Sequence, residues 1–385
     1  MKNVIILGST GSIGRQAVEV IEQNRDRFRA VGLAARRDLE VMSTQIKALA
    51  PAAVCLVDEE AAEMLKQRLG GRGPQVYAGH DGLLEMITSV GADLVLAAIV
   101  GMAGLEPVMR ALDAGMDVAL ANKESMVVAG ELLTSLARAR GARIIPVDSE
   151  HSAVFQCLQG SDPDEVERII LTASGGPFRD FSLEELAEVT VDDALRHPNW
   201  RMGAKITVDS ATMMNKGLEI IEARWLFNVD YDRIDVVVHP QSIVHSLVQF
   251  RDGSVLAQLG YPDMKLPILY ALGFPERIRT EWPRLDLTTV SKLEFEAPDV
   301  TRFPCLALAR RAGKLGASAP AALNAANEVA VDYFLRRQVR FMDIPRLVEA
   351  VLDRHDLVPI RNLEDARRVD SWARRQVRAV VGGGL

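Results

Sequence analysis

The stretch that decides the fold of the first third of the chain is Val4-Ile5-Ile6-Leu7-Gly8-Ser9-Thr10-Gly11-Ser12-Ile13-Gly14. A short β-branched run ends in a glycine-rich turn, and apolar residues at helical spacing follow through Val18 and Ile21. A strand, a glycine turn and a helix form the context of a dinucleotide site, because glycine lets the backbone approach a pyrophosphate that the helix N-terminus attracts. The alternative is a glycine-rich turn that binds no ligand.

Strand and helix patterns alternate through the first 147 residues. Buried strands are predicted at residues 30–35, 53–57, 93–99, 117–121 and 142–147, and helices between them include 105–114 and 131–140. This alternation predicts an α/β fold with a doubly wound, Rossmann-type parallel sheet. Ligands of such sheets bind beyond the carboxyl ends of the strands, where this chain places Asn122-Lys123-Glu124-Ser125 and Asp148-Ser149-Glu150.

The residues after the second predicted strand bear on the choice of cofactor. An NAD enzyme places an acidic residue at this strand end, whereas this chain has Arg36-Arg37-Asp38. Two arginines suit the 2′-phosphate of NADPH, so we expect NADPH rather than NADH. The alternative is a solvated pair of charges at a helix start.

Two carboxylates follow the strand predicted at residues 142–147, within Arg143-Ile144-Ile145-Pro146-Val147-Asp148-Ser149-Glu150-His151. In an extended chain, positions i and i+2 point the same way, so Asp148 and Glu150 are expected to aim at one point. Hard oxygen ligands suit Mg²⁺ or Mn²⁺, with Co²⁺ as a further candidate. Taken alone, the motif also fits a solvated acidic loop.

Beyond residue 151 the pattern changes to α+β. A strand at 168–173 ends in Ser174-Gly175-Gly176, whose small residues can expose backbone N–H groups to an anion. Helix and turn are expected at 182–196. Residues 197–203 read as a loop, in which Trp200 either closes over a ligand or is pinned in the core.

The segment from Val208 to Glu219 is dense in polar groups. Asp209 or Ser210 is expected to cap a helix, and Asn215 and Glu219 share a helix face at i and i+4. Together with Lys216, these residues offer donors for a phosphate and a third carboxylate for a metal. The alternative is a capped amphipathic helix with ordinary surface groups.

The remaining patterns complete the predicted domain organisation. A strand at 234–238 and a hairpin at 246–259 around Arg251-Asp252-Gly253 extend the α+β part. Helices predicted at 305–311, 321–337, 345–354 and 363–379 form a C-terminal helical bundle, and the Ala-rich face at 324–331 needs no functional explanation. We therefore predict an NADPH-binding domain at 1–147, a catalytic and dimerisation α+β domain at 148–274, a linker at 275–303 and a helical domain at 304–385.

Composition narrows the function classes. The 385 residues carry a net charge of −7, and no long block of Lys and Arg appears, so nucleic acid is not the expected partner. The sequence has no run of about 18 apolar residues, so no membrane span is expected. Three widely spaced cysteines argue against a disulfide framework and a cysteine zinc site, and they favour a reducing, cytoplasmic location.

The quoted motifs, with Ala173-Ser174-Gly175-Gly176 and the run 197–227, closely resemble 1-deoxy-D-xylulose 5-phosphate reductoisomerases, in the family's order over essentially the whole chain. The resemblance implies an NADP-dependent oxidoreductase of isoprene precursor biosynthesis. Such an enzyme rearranges the sugar phosphate 1-deoxy-D-xylulose 5-phosphate and reduces the product with NADPH to 2-C-methyl-D-erythritol 4-phosphate. It also implies a homodimer.

The resemblance assigns roles to individual residues. It implies a divalent cation at Asp148, Glu150 and Glu219, and catalytic roles for these three and Lys123. Substrate contacts are implied for Lys123, Ser149, Glu150, Ser174, His197, Trp200, Met202, Ser210, Asn215, Lys216 and Glu219. NADPH contacts are implied for Thr10, Gly11, Ser12, Ile13, Arg36, Arg37, Asn122, Glu124 and Gly203. Arg36 departs from the glycine of many relatives, and either Glu150 or Lys123 could move protons.

Two other functions compete with this hypothesis. An NADPH-dependent semialdehyde or homoserine-type dehydrogenase would catalyse no skeletal rearrangement and would not need three carboxylates beside a phosphate pocket. A non-catalytic NADPH-sensing protein would bind the cofactor without consuming it. Metal-dependent oxidation of NADPH with a ketose phosphate distinguishes both from the reductoisomerase.

Overall fold

The computed structural model of the chain describes residues 1–196, 200 and 202–383. The chain forms two compact units. The first comprises Met1–Ser125, Leu133–Ser152 and Asp263–Glu281, and the second comprises Met126–Leu132, Ala153–Pro262 and Trp282–Leu385.

Strands and helices alternate up to residue 157. In chain order they are β1 (Lys2–Leu7), α1 (Ser12–Gln23), β2 (Phe28–Ala35), α2 (Leu39–Leu49), β3 (Ala53–Leu56), α3 (Glu59–Leu69), β4 (Gln75–Ala78), α4 (Gly79–Ser89), β5 (Leu94–Ala97), α5 (Leu105–Asp113), β6 (Asp117–Leu120), α6 (Lys123–Arg140), β7 (Ile144–Pro146) and α7 (Ser149–Cys157). The seven strands form one sheet in the order β4-β3-β2-β1-β5-β6-β7, and all pairs are parallel. The predicted doubly wound parallel sheet is confirmed.

The central strands are apolar because helices cover both faces of a parallel sheet. Val4, Ile5 and Ile6 of β1 are fully buried. Strand β4 was missed in the sequence, because its four residues include an exposed Gln75 and only pairing with β3 defines it. This strand extends the sheet to one edge.

A second, mixed sheet lies in the other unit. The elements that follow α7 are β8 (Val166–Ala173), α8 (Leu183–Ala187), α9 (Val191–Ala194), α10 (Ala204–Ala211), α11 (Met214–Phe227), β9 (Ile234–Val238), β10 (Val244–Phe250) and β11 (Val255–Leu259). The strand order is β11-β10-β8-β9, with β8 and β9 parallel and the other pairs antiparallel. The predicted α+β part and its hairpin, now β10 and β11, are confirmed.

The last third of the chain is helical. Its elements are α12 (Lys265–Gly273), α13 (Leu287–Val290), α14 (Cys305–Leu315), α15 (Ala319–Leu335), α16 (Asp343–Asp353) and α17 (Leu363–Gly382). Helices α14, α16 and α17 pack around α15 and form the predicted bundle. Helix α12 packs with the first unit, where Lys2 Nζ donates to the Leu272 carbonyl at 2.7 Å. Between α13 and α14, Glu296 forms a backbone bridge to Val238 of β9.

Among the described helices, none is both long and apolar enough to span a membrane.

Candidate active site

The turn between β1 and α1 is built for close backbone approach. Gly8 has φ +83°, and a Cβ atom there would lie 2.6 Å from the Ala98 carbonyl oxygen. A Cβ atom at Gly14 would lie 2.2 Å from the Gly8 oxygen. Helix α1 begins at Ser12, with Gly11 as its N-cap. Since the first N–H groups of a helix have no partner within it, this turn fits an anionic pyrophosphate.

The charged residues beyond β2 lie next to this turn. Arg36 and Arg37 are exposed, whereas Asp38 caps α2 by accepting from the Val41 N–H at 3.1 Å. Arg15 of α1, which sequence reasoning missed, donates to the Thr10 carbonyl at 2.8 Å and lies 3.6 Å from Asp38. The only signal in the sequence was its position directly after the last glycine of the motif.

Asn122 and Glu124 are buried and hydrogen-bonded to each other. Asn122 caps α6 by accepting from the Ser125 N–H at 3.0 Å, and its amide donates to Glu124 at 3.0 Å and to the Gly101 carbonyl at 3.2 Å. This cap explains why α6 begins eight residues before the start that apolar periodicity indicated. It also fixes Lys123 in the first turn of α6.

Lys123 pairs with the first of the predicted metal ligands. Its Nζ lies 2.5 Å from Asp148 Oδ2, and both side chains are largely buried. His151, which was not predicted as a site residue, is fully buried with its Nδ1 3.9 Å from the same oxygen. It belongs to the acidic motif, and that adjacency was the available signal. These residues form a polar cluster beyond β6 and β7, as the strand-end argument expected.

The expected extended geometry of Asp148 and Glu150 is wrong, although a carboxylate oxygen of each lies within 4.8 Å of the other, as the convergence prediction requires. Helix α7 begins at Ser149, so Glu150 lies in its first turn and Asp148 immediately precedes it. The strand ends at Pro146, and the helix supplies the side-chain directions instead of a two-residue alternation. Ser149 Oγ donates to Glu150 Oε2 at 2.5 Å, which orients that carboxylate.

In the second unit, Ser174 and Ser210 belong to segments that touch. Gly175 and Gly176 have φ of +83° and +68°, and the Gly176 N–H donates to Ser174 Oγ at 3.2 Å. A Cβ atom at Gly176 would lie 2.9 Å from the Ser210 carbonyl oxygen. Glycine at 176 therefore permits the close approach of this turn to α10.

Helix α11 presents the second charged cluster. Asn215 Nδ2 donates to Glu219 Oε1 at 2.5 Å, and the Lys216 ammonium contacts the other oxygen of the same carboxylate. Lys216 and Glu219 are buried. The predicted shared face of Asn215 and Glu219 is thus confirmed.

The expected helix cap at Asp209 or Ser210 is wrong. Both residues lie inside α10, and α11 starts after Met213, which adopts φ +62°. The short connection between α10 and α11 therefore contains a residue in the left-handed conformation, and no described side chain caps the start of α11.

The predicted loop is described only in part. Trp200 is half-buried, with its ring centroid 6.4 Å from that of His245, so it is neither fully exposed nor pinned in the core. Met202 is half-buried, and exposed Gly203 is the N-cap of α10. His197 lies outside the residues that the structure describes.

The three cysteines, all among the residues that the structure describes, form no disulfide. Burial raises the pKa of Cys55 and of Cys305 to about 12. Neither thiol is therefore a ready nucleophile at neutral pH, because the thiolate is the reactive form.

Family models match three parts of the chain. The model described as 1-deoxy-D-xylulose 5-phosphate reductoisomerase matches residues 4–130. The C-terminal domain of 1-deoxy-D-xylulose 5-phosphate reductoisomerase matches 144–227, and the DXP reductoisomerase C-terminal domain matches 259–376.

Relatives are similar over nearly their whole length. The 1-deoxy-D-xylulose 5-phosphate reductoisomerase of Heliobacterium modesticaldum is 53% identical over 386 residues, covering 100% of this chain and 98% of its own. That of Chloroherpeton thalassium is 52% identical over 377 residues, covering 98% and 97%.

Solved structures agree with this assignment. The Zymomonas mobilis enzyme in complex with NADPH has a TM-score of 0.93 at 44% identity, covering 99% of both chains. A DOX-P reductoisomerase in complex with NADPH, fosmidomycin and magnesium has a TM-score of 0.94 at 41% identity, covering 99% of this chain and 98% of its own. The chain belongs to the 1-deoxy-D-xylulose 5-phosphate reductoisomerase family.

Proposed function

We propose that the residues described above carry out the reaction of this family in this chain. The enzyme converts 1-deoxy-D-xylulose 5-phosphate to 2-C-methyl-D-erythritol 4-phosphate by rearranging the carbon skeleton and then transferring hydride, with NADPH and a divalent cation. The observation that carries this conclusion is family membership over nearly the whole chain, together with relatives solved with NADPH and with magnesium.

The first unit is proposed to hold NADPH. The glycine turn, where added Cβ atoms would overlap backbone oxygens, fits a pyrophosphate next to the N-terminus of α1. The proposed NADPH contacts are Thr10, Gly11, Ser12, Ile13, Arg36, Arg37, Asn122, Glu124 and Gly203. Arg36 and Arg37 are exposed and suit the 2′-phosphate, whereas buried Asn122 and Glu124 fix the shape of the adjacent strand end.

Asp148, Glu150 and Glu219 are proposed to hold the divalent cation, because each offers a hard carboxylate oxygen. When bound, the cation supplies a Lewis acid for substrate oxygens, and NADPH supplies the hydride. Magnesium is the ion named for relatives, and Mn²⁺ and Co²⁺ remain candidates here. In the structure Lys123 and Lys216 contact Asp148 and Glu219, so each carboxylate has a compensating charge close by.

The remaining polar groups are proposed to transfer protons and to bind the substrate phosphate. Lys123 and Glu150 are the candidates for moving protons to and from the oxygens of the substrate, since Lys123 contacts Asp148 and Ser149 orients Glu150. The substrate phosphate is proposed to lie at Ser174, Ser210, Asn215 and Lys216, with His197, Trp200 and Met202 closing over the sugar. A phosphate held remotely supplies binding energy for that closure.

A homodimer is proposed through the second sheet. Strand β11 is at the edge of this sheet, and Val255 and Leu256 are 46% and 49% exposed. An exposed apolar edge strand promotes aggregation unless another surface covers it. The same edge strand of a second copy of the chain could pair with β11 and cover it. Sedimentation of the wild type and of Leu256→Lys tests this, and a monomeric wild type would exclude the dimer. A reducing, cytoplasmic location is also proposed, because the three widely spaced cysteines, all of them described, form no disulfide.

The test of the reaction is a mixture of enzyme, NADPH, 1-deoxy-D-xylulose 5-phosphate and a magnesium salt, followed by the absorbance of NADPH. Loss of absorbance should require every component. Turnover without any divalent cation would favour a simple dehydrogenase, and binding of NADPH with no consumption would favour a sensing protein.

A further inference from the structure

Asp209 is a buried carboxylate that the proposed reaction does not use. It lies inside α10 directly before Ser210, and only 1% of it is exposed. A buried carboxylate must be paired and hydrogen-bonded, because removing its charge from water is unfavourable unless partners replace the lost hydration. A partner of Asp209 on another helix therefore helps to determine the position of α10.

Both oxygens of Asp209 have partners. Asn327 Nδ2 of α15 donates to Oδ1 at 2.8 Å, across 118 positions of sequence, and Asn327 is fully buried. Lys205 Nζ, one turn earlier in α10, lies 2.8 Å from Oδ2. The α15 face that the sequence presented as purely structural thus supplies a polar contact to α10.

Helix α10 carries proposed site groups at both ends. Its first turn is closed by Thr207, whose N–H and Oγ1 donate to the Gly203 carbonyl at 3.1 and 2.9 Å, directly after Trp200 and Met202. Its last turn holds Ser210, whose carbonyl lies against Gly176. A shift of α10 would therefore move both the loop end and the serine together.

We propose that Asn327 is a positioning residue that fixes α10 through Asp209, while Lys205 of the same helix balances the charge of Asp209, so that Ser210 is held ready for the phosphate of the substrate. The C-terminal bundle thereby takes part in recognising the phosphomonoester end of the substrate, although Asn327 itself does not touch it. This inference rests on the proposed phosphate role of Ser210.

The test replaces Asn327 by Leu, which keeps the size and removes the donor. The KM for 1-deoxy-D-xylulose 5-phosphate and the inhibition constant of inorganic phosphate should both rise about ten-fold, as expected for losing a hydrogen bond to a charged group. The KM for NADPH should stay unchanged. A merely structural role would lower the melting temperature without moving the phosphate constants.

Asn324→Leu is the matched control. Asn324 is equally buried on α15, but its amide donates to Glu328 at 3.1 Å rather than to α10. This variant should lose stability and keep the wild-type KM. The exchange Asp209→Asn with Asn327→Asp recreates the hydrogen bond with its roles reversed, and it should restore much of the lost substrate affinity.

A comparison with Ser210→Ala distinguishes the proposed phosphate site from the positioning role of Asn327. If Ser210→Ala leaves the substrate KM unchanged, the proposed phosphate site is wrong. If Ser210→Ala raises KM while Asn327→Leu does not, the phosphate site stands and the positioning role is overturned. Should Asn327→Leu fail to fold, Asn327→Ala provides the same comparison, because alanine also lacks a side-chain donor.

Discussion

Arg15 offers a sharp test of how the chain selects NADPH. Asp38 follows Arg36 and Arg37, close to the strand end where an NADH enzyme has its acidic residue. One of its oxygens caps α2, and the other lies 3.6 Å from Arg15. Arg15 thus offsets a negative charge that would repel a 2′-phosphate. Arg15→Ala should lower kcat/KM for NADPH relative to NADH.

The size of the effect follows from the geometry. Two unit charges about 4 Å apart interact by about 1 kcal/mol in bulk water. The side chains of Arg15 and Asp38 are 55% and 42% exposed, so the pair belongs among exposed pairs of roughly 0.2–1 kcal/mol. Because about 1.4 kcal/mol is a factor of ten, the NADPH to NADH ratio should fall by about five-fold at most.

The assay compares kcat/KM for both cofactors in a double-mutant cycle. Asp38→Asn keeps a helix cap and removes the charge, so Arg15→Ala should have little further effect in that background. Arg29→Ala is the control, because this exposed arginine lies near the opposite, amino end of β2. An unchanged cofactor ratio in Arg15→Ala, or an equal effect with and without Asp38, would refute this reasoning.

Three further predictions concern the second unit. Glu219→Gln should abolish most turnover, while the affinity for NADPH measured by calorimetry is kept. The substitution also removes the carboxylate that pairs with buried Lys216, which should cost about 3–5 kcal/mol of stability. Survival of turnover at saturating magnesium would exclude the metal role of Glu219. Lys216→Ala should raise the substrate KM more than it lowers kcat, and an unchanged KM would speak against phosphate binding there. Burial lowers the pKa of His355, whose Nε2 lies 2.7 Å from Ser318 Oγ, so the folded state binds this proton less readily than the unfolded state. The contribution of His355 to the free energy of unfolding should therefore be fully present above its ordinary pKa of 6.5 and be lost as the pH drops below that value, and denaturant titrations should show this loss weakened in His355→Gln.

Local patterns were sufficient where the cause of the structure is local. The glycine turn, the strand-helix alternation and the hairpin at Arg251-Asp252-Gly253 follow from neighbouring residues, and they appear as expected. The position of Asn215 relative to Glu219 is likewise fixed by helix geometry. The same reasoning failed at Glu150, because the sequence could not show whether the chain beyond Pro146 stays extended or begins a helix.

The sequence by itself therefore determined the parallel sheet, the polar groups at its strand ends and the family. Only the tertiary structure decided that Arg15 faces Asp38, that Lys123 pairs with Asp148 and that Asn327 reaches Asp209. Each of these contacts joins residues far apart in the chain, and periodicity carries no information about which distant side chains meet. Burial makes the partners of Asp148 and Asp209 important, because a charge removed from water depends on the partner that the fold provides, whereas Arg15 and Asp38 stay exposed.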